Sequence, residues 1–160
     1  LRYRGRDLRY RALFDVLGRH CRGEVLDVGG GTFVTKVIDH GIGFDRWTVV
    51  EPSADDLPRV ADPRVTARVG DGCALDLPDA TYDTVLSIQV LEHVFEPIRM
   101  FDELFRVTKP GGIVVVMAPQ TANIHHAPHP LNRGRELLLG PVSHRHGRPR
   151  MLASVLSRSR

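Results

Sequence analysis

The sequence predicts an α/β fold in which helices cover both faces of a doubly wound, mostly parallel sheet. Short, almost continuously apolar runs alternate with helical patterns along the chain, which is typical of strands that are buried on both faces. Three consecutive glycines, residues 29–31, follow the first of these strands and open a helix. Acidic residues stand at the ends of three strands, at Asp27, Glu51 and Asp71. Because the carboxyl ends of parallel strands share one edge of a sheet, we expect a ligand site there.

The order of the elements follows from the spacing of apolar residues and from the glycines and prolines between them. Residues 6–20 place leucine and phenylalanine side chains on one helical face, and Gly23 separates this helix from the first strand. A KPGG turn separates the last predicted helix from strand five. The predicted strands are residues 24–28, 46–50, 64–69, 83–89 and 113–117, and the predicted helices are residues 6–20, 32–40 and 95–107.

Composition indicates an ordinary globular protein. The 160 residues are 42% hydrophobic, which suffices for a substantial core in a single domain. No run approaches the roughly 20 apolar residues of a membrane span and no signal peptide is visible, so we expect a cytoplasmic protein without a membrane span. Cys21 and Cys73 have no CxxC spacing, and in that compartment we expect both thiols to be reduced.

Positive charge is concentrated in the last part of the chain. Residues 120–160 contain seven arginines and a single acidic residue, Glu136, whereas residues 1–119 contain 15 basic and 18 acidic residues. A basic segment can bind nucleic acid, but this segment has few aromatic residues, so we do not expect that partner. We therefore divide the chain into a core, residues 1–119, and a basic Arg- and His-containing tail, residues 120–160, that is partly helical or disordered.

The glycine loop and the acid before it indicate which kind of ligand the edge would bind. Glycine has no Cβ, so its backbone can approach a ligand closely. A dinucleotide-binding loop would have a further glycine at position 34, where this chain has Val34. The carboxylate of Asp27 would repel a pyrophosphate and attract an ammonium or a sulfonium group. An NAD(P)-dependent oxidoreductase domain is therefore a weaker alternative, and a glycine turn without any ligand is another.

The other two acids extend the predicted site towards a nucleoside. Glu51 lies about twenty residues beyond the loop, the spacing at which an acid accepts hydrogen bonds from ribose hydroxyls. Asp71 could accept a hydrogen bond from the exocyclic amine of an adenine. Each acid also has a plainer interpretation: Glu51 as a solvated acid before Pro52, and Asp71 as the first residue of an Asp-Gly turn.

A succession of sequence blocks resembles the class I S-adenosylmethionine-dependent methyltransferases, in the branch of small-molecule enzymes that includes quinone biosynthesis. The blocks lie within residues 24–120 and read VLDVGGGTF, VVEP, GDGCALDLPDATYDTVLSIQVLEHV and ELFRVTKPGGIVVVMAPQ. The resemblance implies a Rossmann-like fold whose strands follow the order 3-2-1-4-5-7-6, with strand seven antiparallel. It also implies methyl transfer from S-adenosylmethionine to an acceptor that the sequence does not identify, with a small molecule as the expected partner.

The resemblance implies cofactor-binding roles for the glycine loop and for the strand ends. The residues that would hold S-adenosylmethionine are Asp27, Gly29, Gly31, Glu51, Asp71, Gly72, Cys73 and Gln89. Of these, Asp27, Gly29, Gly31 and Gln89 would contact the methionine part. Glu51 would contact the ribose, and residues 71–73 would contact the adenine. The cofactor has a net charge of about +1 and no phosphate, so an acid-lined crevice is complementary to it.

His93, at the mouth of the predicted pocket, is the candidate catalytic base. It follows strand four, and histidine is the side chain suited to proton transfer near neutral pH. A base is required only when the acceptor holds a proton that must leave. The alternative interpretation is structural, with the imidazole bonded to a backbone carbonyl at the start of a helix.

The histidines that follow strand five could be read as a metal site. They are His125, His126, His129, His144 and His146. Prolines at positions 128 and 130 break any helix that would align them, and no cysteine or acidic ligand is close, so we predict no metal. In the resembling family this loop borders the acceptor pocket, which would bring the first two histidines close to the acceptor.

Two parts of the chain depart from the family pattern. Phe33 stands in the place of the family's third loop glycine, so we expect either a displaced helix or weakened cofactor binding. After Gln120 we predict a helix from Asn132 to Leu139 and no counterpart of strands six and seven, as in a truncated chain or a divergent C-terminus. Strand five would then be an exposed apolar edge, which a homodimer pairing through it would cover. A cofactor-binding remnant without catalytic activity is the remaining alternative.

Overall fold

The computed structural model describes residues 8–120, 135–141 and 150–158. The helices and strands are α1 (Leu8–His20), β1 (Glu24–Val28), α2 (Phe33–Asp39), β2 (Arg46–Glu51), β3 (Val65–Val69), β4 (Tyr82–Ile88), α3 (Pro97–Val107), β5 (Thr108–Gln120), β6 (Arg135–Pro141) and β7 (Arg150–Arg158). Short 3-10 turns follow β2 at Ala54–Asp56 and β4 at Leu91–His93. The predicted elements from α1 to β5 are confirmed, although β5 is longer than expected at both ends. None of the described helices is long and apolar enough to cross a membrane.

The seven described strands form one sheet in the order β3-β2-β1-β4-β5-β7-β6. The five strands β1 to β5 pair in parallel, and β7 is antiparallel to both β5 and β6. The order and the orientations that the resemblance implied are therefore confirmed. From β1 the chain continues outwards on one side to β2 and β3, and then crosses to β4 on the other side. Such a reversal leaves a crevice at the carboxyl ends of the central strands, where open α/β sheets bind ligands.

The prediction that strands six and seven are missing is wrong. Residues 135–141 form β6 where the end of a helix was expected, and β7 pairs with residues 113–120 of β5. The spacing of apolar residues in such short runs does not distinguish a strand from a helix. The strands form by pairing with residues that are distant in the sequence, and a local pattern does not reveal such pairing. Since β5 has β4 on one side and β7 on the other, it is neither an exposed edge nor open to pairing with a second chain. The five histidines considered as a metal site lie outside the described residues.

Two apolar clusters cover the two faces of the central strands. On one face, α1 and α2 pack against a cluster that includes Val25 and Trp47. On the other face, α3 packs against a cluster that includes Leu26 and Val85. Neighbouring residues of β1 thus go to opposite faces, as the two-residue period of a strand requires. By the same period, Asp27 lies on the face that α1 and α2 cover.

Phe33 is a core residue at the start of α2. Its side chain is 7% exposed, and its ring stacks on Phe14 of α1 with the ring centroids 5.8 Å apart. Phe14 stacks in turn on His40, at 3.8 Å between centroids. The large side chain at the position of the third loop glycine therefore packs between the first two helices. Its effect on cofactor binding stays a prediction.

We expect Phe33→Ala to lower the free energy of unfolding by about 3–5 kcal/mol, because the substitution removes a buried ring and leaves a cavity. The matched control is Phe95→Ala, since the Phe95 side chain is fully exposed; it should change the same quantity by less than about 0.5 kcal/mol. Unfolding in urea, followed by circular dichroism, measures both variants. Equal losses at the two positions would contradict the packing of Phe33.

Candidate functional site

The candidate site is built on two carboxylates at the carboxyl ends of β1 and β2. Asp27 is the next-to-last residue of β1, and Glu51 is the last residue of β2. Asp27 pairs in register with Val49, so Glu51 is the next residue of β2 on the same face of the sheet. Strand register and the two-residue period therefore bring both acids to the face under α1 and α2.

The carboxylate of Asp27 is fully buried and has no hydrogen-bond partner among the described residues. Burial raises its pKa from the ordinary 3.8 to about 8, and the negative charge of Glu51 adds to this shift. The indole of Trp47 lowers the pKa, but its N–H does not reach hydrogen-bond geometry and is itself buried without a partner. An unpartnered buried carboxylate is costly for a folded protein. Such a group in a strand end marks a place where a ligand would supply the missing donor.

The glycine loop lies directly against Asp27. A Cβ on Gly30 would overlap the carboxylate oxygen Oδ2 of Asp27, and a Cβ on Gly29 would overlap the side chain of Val90. Gly29 and Gly31 have φ angles of +74° and +48°, in the left-handed region that favours glycine. The loop can therefore follow this path only with glycines, and it exposes bare backbone next to the buried acid.

Glu51 connects the glycine loop to the end of β2. Its Oε1 accepts a hydrogen bond from the backbone N–H of Gly31, and its side chain is nearly buried. Burial raises the pKa of Glu51, the bond from Gly31 lowers it, and the charge of Asp56 raises it further. Asp56, in the 3-10 turn after β2, is a contributor to the site that sequence reasoning missed. The signal was the acidic run that follows Glu51 in EPSADD.

Asp71 lies beyond the end of β3 in an exposed turn. Its Oδ1 accepts a hydrogen bond from the backbone N–H of Cys73 at 2.8 Å, and its carbonyl accepts one from the N–H of Ala74 at 3.0 Å. These bonds are the turn chemistry of the plainer interpretation. The turn nevertheless reaches back to β1, because a Cβ on Gly72 would lie 3.0 Å from Cγ1 of Val28. The predicted adenine segment and the glycine loop thus both adjoin the end of β1.

Gln89 and His93 follow β4, on the other side of β1. Gln89 has a φ angle of +59°, and non-glycine residues in this strained region cluster at functional sites. His93 belongs to the 3-10 turn after β4, and its side chain is exposed.

Within the part of the chain that the structure describes, no group of His, Cys, Asp and Glu side chains could hold a metal ion.

This arrangement suits a ligand with positive charge and without phosphate. Two acids lie on one face of neighbouring strand ends, and Asp56 adds negative charge beside them. The unpartnered oxygens of Asp27 can accept hydrogen bonds from a cationic group, and the glycine backbone leaves room for that group to approach. The residues present therefore fit S-adenosylmethionine, the cofactor that the resemblance implies, better than a dinucleotide.

We expect Asp27 to make the protein less stable as the pH rises between about 4 and 8. Its folded pKa of about 8 exceeds the ordinary 3.8, so the folded protein binds more protons than the unfolded chain in this range, and stability falls with rising pH. Asp27→Asn removes this dependence. In thermal melts without ligand, the variant should exceed the wild type at pH 8 by roughly 5 °C or more, with little difference at pH 4.

The control for this measurement is Asp45→Asn, which neutralises an exposed acid directly before β2. It should not reproduce the pH dependence of the Asp27 variant. A difference between wild type and Asp27→Asn that is the same at both pH values would contradict an unpartnered buried carboxylate.

Comparison with known proteins identifies the family of the chain. A family profile described as a methyltransferase domain matches residues 26–116. An uncharacterized methyltransferase of Mycobacterium bovis is 43% identical over 99 residues, which are 58% of this chain and 37% of that protein. A Mycolicibacterium smegmatis protein named as a probable S-adenosylmethionine-dependent methyltransferase is 34% identical over 119 residues, 69% of this chain and 44% of that protein. The chain thus spans less than half the length of these relatives.

A solved structure shows the same fold. The S-adenosylmethionine-dependent methyltransferase of Aquifex aeolicus matches 94% of this chain and 89% of its own with a TM-score of 0.65, at 16% sequence identity. At that identity the likeness concerns the fold alone. The family profile, by contrast, is a match of sequence and covers more than half of the chain. On these grounds the chain belongs to the class I S-adenosylmethionine-dependent methyltransferases.

Proposed function

We propose that this chain binds S-adenosylmethionine at the carboxyl ends of its central strands and transfers the methyl group to a small-molecule acceptor. The observation that carries the proposal is the buried, unpartnered carboxylate of Asp27 under a loop that only glycines can form. A cationic ligand would supply the hydrogen-bond donors and the positive charge that this carboxylate lacks. A dinucleotide would bring a pyrophosphate instead, which argues against the NAD(P)-dependent alternative.

The methionine part of the cofactor would lie over β1. Asp27, Gly29 and Gly31 would contact it from the glycine loop, and Gln89 would contact it from the end of β4. The strained φ angle of Gln89 supports this role, because a strained backbone persists where the position of a side chain matters. For the methionine part, the protein would provide complementary charge and a glycine backbone that the cofactor can approach closely.

The nucleoside part would lie towards β2 and β3. Glu51 would accept hydrogen bonds from the ribose hydroxyls, and its existing bond to Gly31 fixes the direction of its side chain. Asp71, with the backbone of Gly72 and Cys73, would contact the adenine. The bond from the Cys73 N–H to the Asp71 carboxylate supports this role by holding the acid in one orientation.

The cofactor, when bound, supplies a methyl group activated by its sulfonium. The protein has to align the acceptor with that methyl group and exclude water. His93, exposed after β4, would take the proton from an acceptor that must lose one. Residues 1–119 would form the cofactor-binding core, and the location would be cytoplasmic, which the two free cysteines support.

We expect Glu51→Ala and Asp71→Ala each to weaken the binding of S-adenosylhomocysteine by about 1–3 kcal/mol, because each removes hydrogen-bonded contacts to the nucleoside. Isothermal titration measures this. Asp45→Ala is the matched control, since it removes the same charge at the opposite end of β2, and its affinity should equal that of the wild type. Tighter binding of NAD than of S-adenosylhomocysteine by the wild type would overturn the proposal.

We expect His93→Asn to lower kcat by roughly 10²–10⁴-fold for an acceptor that loses a proton, because the variant removes the base. Its dissociation constant for S-adenosylhomocysteine should stay unchanged. The acceptor for this assay is to be found by incubating fractionated metabolites with methyl-labelled cofactor. Unchanged kcat in the variant would leave His93 with a structural role, and cofactor binding without transfer to any fraction would favour the non-catalytic alternative.

A further inference from the structure

The turn with Asp71 continues into a segment that α3 holds from its other side. This segment, residues 71–79, is called here the β3–β4 segment. Leu75 lies in its middle, and both backbone polar groups of Leu75 are bound by α3: the N–H donates to Oε2 of Glu103 at 2.7 Å, and the carbonyl accepts from Nη2 of Arg106 at 2.8 Å. Two neighbouring side chains of one helix therefore fix the backbone two residues after Cys73.

Arg106 binds the β3–β4 segment at three points and Glu103 at two. Besides Leu75, it donates to the carbonyl of Leu77 at 2.8 Å and to Oδ1 of Asp79 at 2.7 Å. It also makes a two-pronged pair with Glu103, with both N···O distances 2.7 Å. A guanidinium has five N–H groups in a rigid fork, and these five hydrogen bonds use them all. No lysine could make the same set of contacts.

The pair is charged and partly shielded from water. The side chains of Arg106 and Glu103 are 30% and 18% exposed. The hydrogen bond from Arg106 lowers the pKa of Glu103, and the bonds to Glu103 and Asp79 raise the pKa of Arg106. Charge-assisted, two-pronged bonds of this kind are stronger and more directional than neutral ones. The two-pronged pair thus holds both side chains of α3 in place, and they bind the segment through charge-assisted hydrogen bonds.

Apolar contacts reinforce the attachment. Leu75 is buried in the cluster under α3, and a Cβ on Gly72 would lie 3.4 Å from Cε of Met100, on the same helix. A cavity of about 630 Å³ lies between residues 73–78 and α3. Because Glu103 and Arg106, which line it, already bind the segment, we assign this cavity no ligand of its own.

We propose that Glu103 and Arg106 are positioning residues, which hold the β3–β4 segment so that Asp71 and its turn select adenine. This inference rests on the proposed function. The two side chains reach the segment from α3 and are not among the proposed cofactor contacts. By fixing the backbone at Leu75, they fix the turn directly before it, in which the Asp71 carboxylate and the Gly72 backbone are placed. They therefore act on base selectivity through the segment.

The test compares Arg106→Lys with Arg64→Lys in the full chain. Arg64 makes an equally two-pronged pair with Asp62, directly before β3, so the control loses the same type of pair at the opposite end of that strand. Each protein is titrated with S-adenosylhomocysteine and with S-inosylhomocysteine, in which an oxygen replaces the exocyclic amine. We expect the wild type and Arg64→Lys to prefer the adenine compound. Arg106→Lys should lose on the order of tenfold in affinity for it, with the preference reduced towards one.

Glu103→Gln is the second variant, because it keeps the shape of the side chain and serves if Arg106→Lys does not fold. It should also reduce the preference, and amide hydrogen exchange at Leu75 should accelerate. A purely structural role would lower Tm and leave the ratio of the two affinities unchanged, and that result would overturn the inference alone. Failure of the wild type to bind S-adenosylhomocysteine would overturn the proposed function, and this inference with it.

Discussion

An ionisable group buried without a partner is the constraint on which the rest of the site depends. Asp27 comes from a central strand, so its carboxylate cannot turn to water without breaking the sheet. The loop above it has to follow a path that only glycines allow, and the second acid, Glu51, ties that loop to β2. The loop and Glu51 keep the two acids where a cationic ligand can bind them. Without such a ligand, the folded protein is less stable than it would be with an apolar residue at this strand end.

Several costly features of this molecule lie at one edge of the sheet. The unpartnered side chains of Asp27 and Ser87 and the strained backbone of Gln89 all lie at or near the carboxyl ends of β1 and β4. The strands beneath them are almost entirely apolar and buried. A rigid core of this kind can tolerate local strain that a small or loosely packed domain could not. Within the same strands, the residues at the carboxyl ends therefore serve binding, and the residues before them form the stable core.

Sequence reasoning reached those parts of the structure that local pattern determines. The strands β1 to β5 follow from their β-branched runs, and the shared edge of Asp27 and Glu51 follows from their positions at strand ends. The direction of the Phe33 ring depends on Phe14, in a different helix, so the glycine pattern alone could not predict where the ring packs. The attachment of Leu75 by Arg106 joins residues 31 positions apart, and no periodicity signals it. For β6 and β7, the partner strand decided between strand and helix.

The position of β7 in the sheet has a consequence for how the protein folds during synthesis. β7 follows β6 in the chain but lies between β5 and β6 in the sheet. While the ribosome is still synthesising the protein, β6 therefore emerges before the strand with which it pairs, and the backbone N–H and C=O groups on one edge of β5 stay unpaired until β7 arrives. Nascent chains at that stage are open to association with one another.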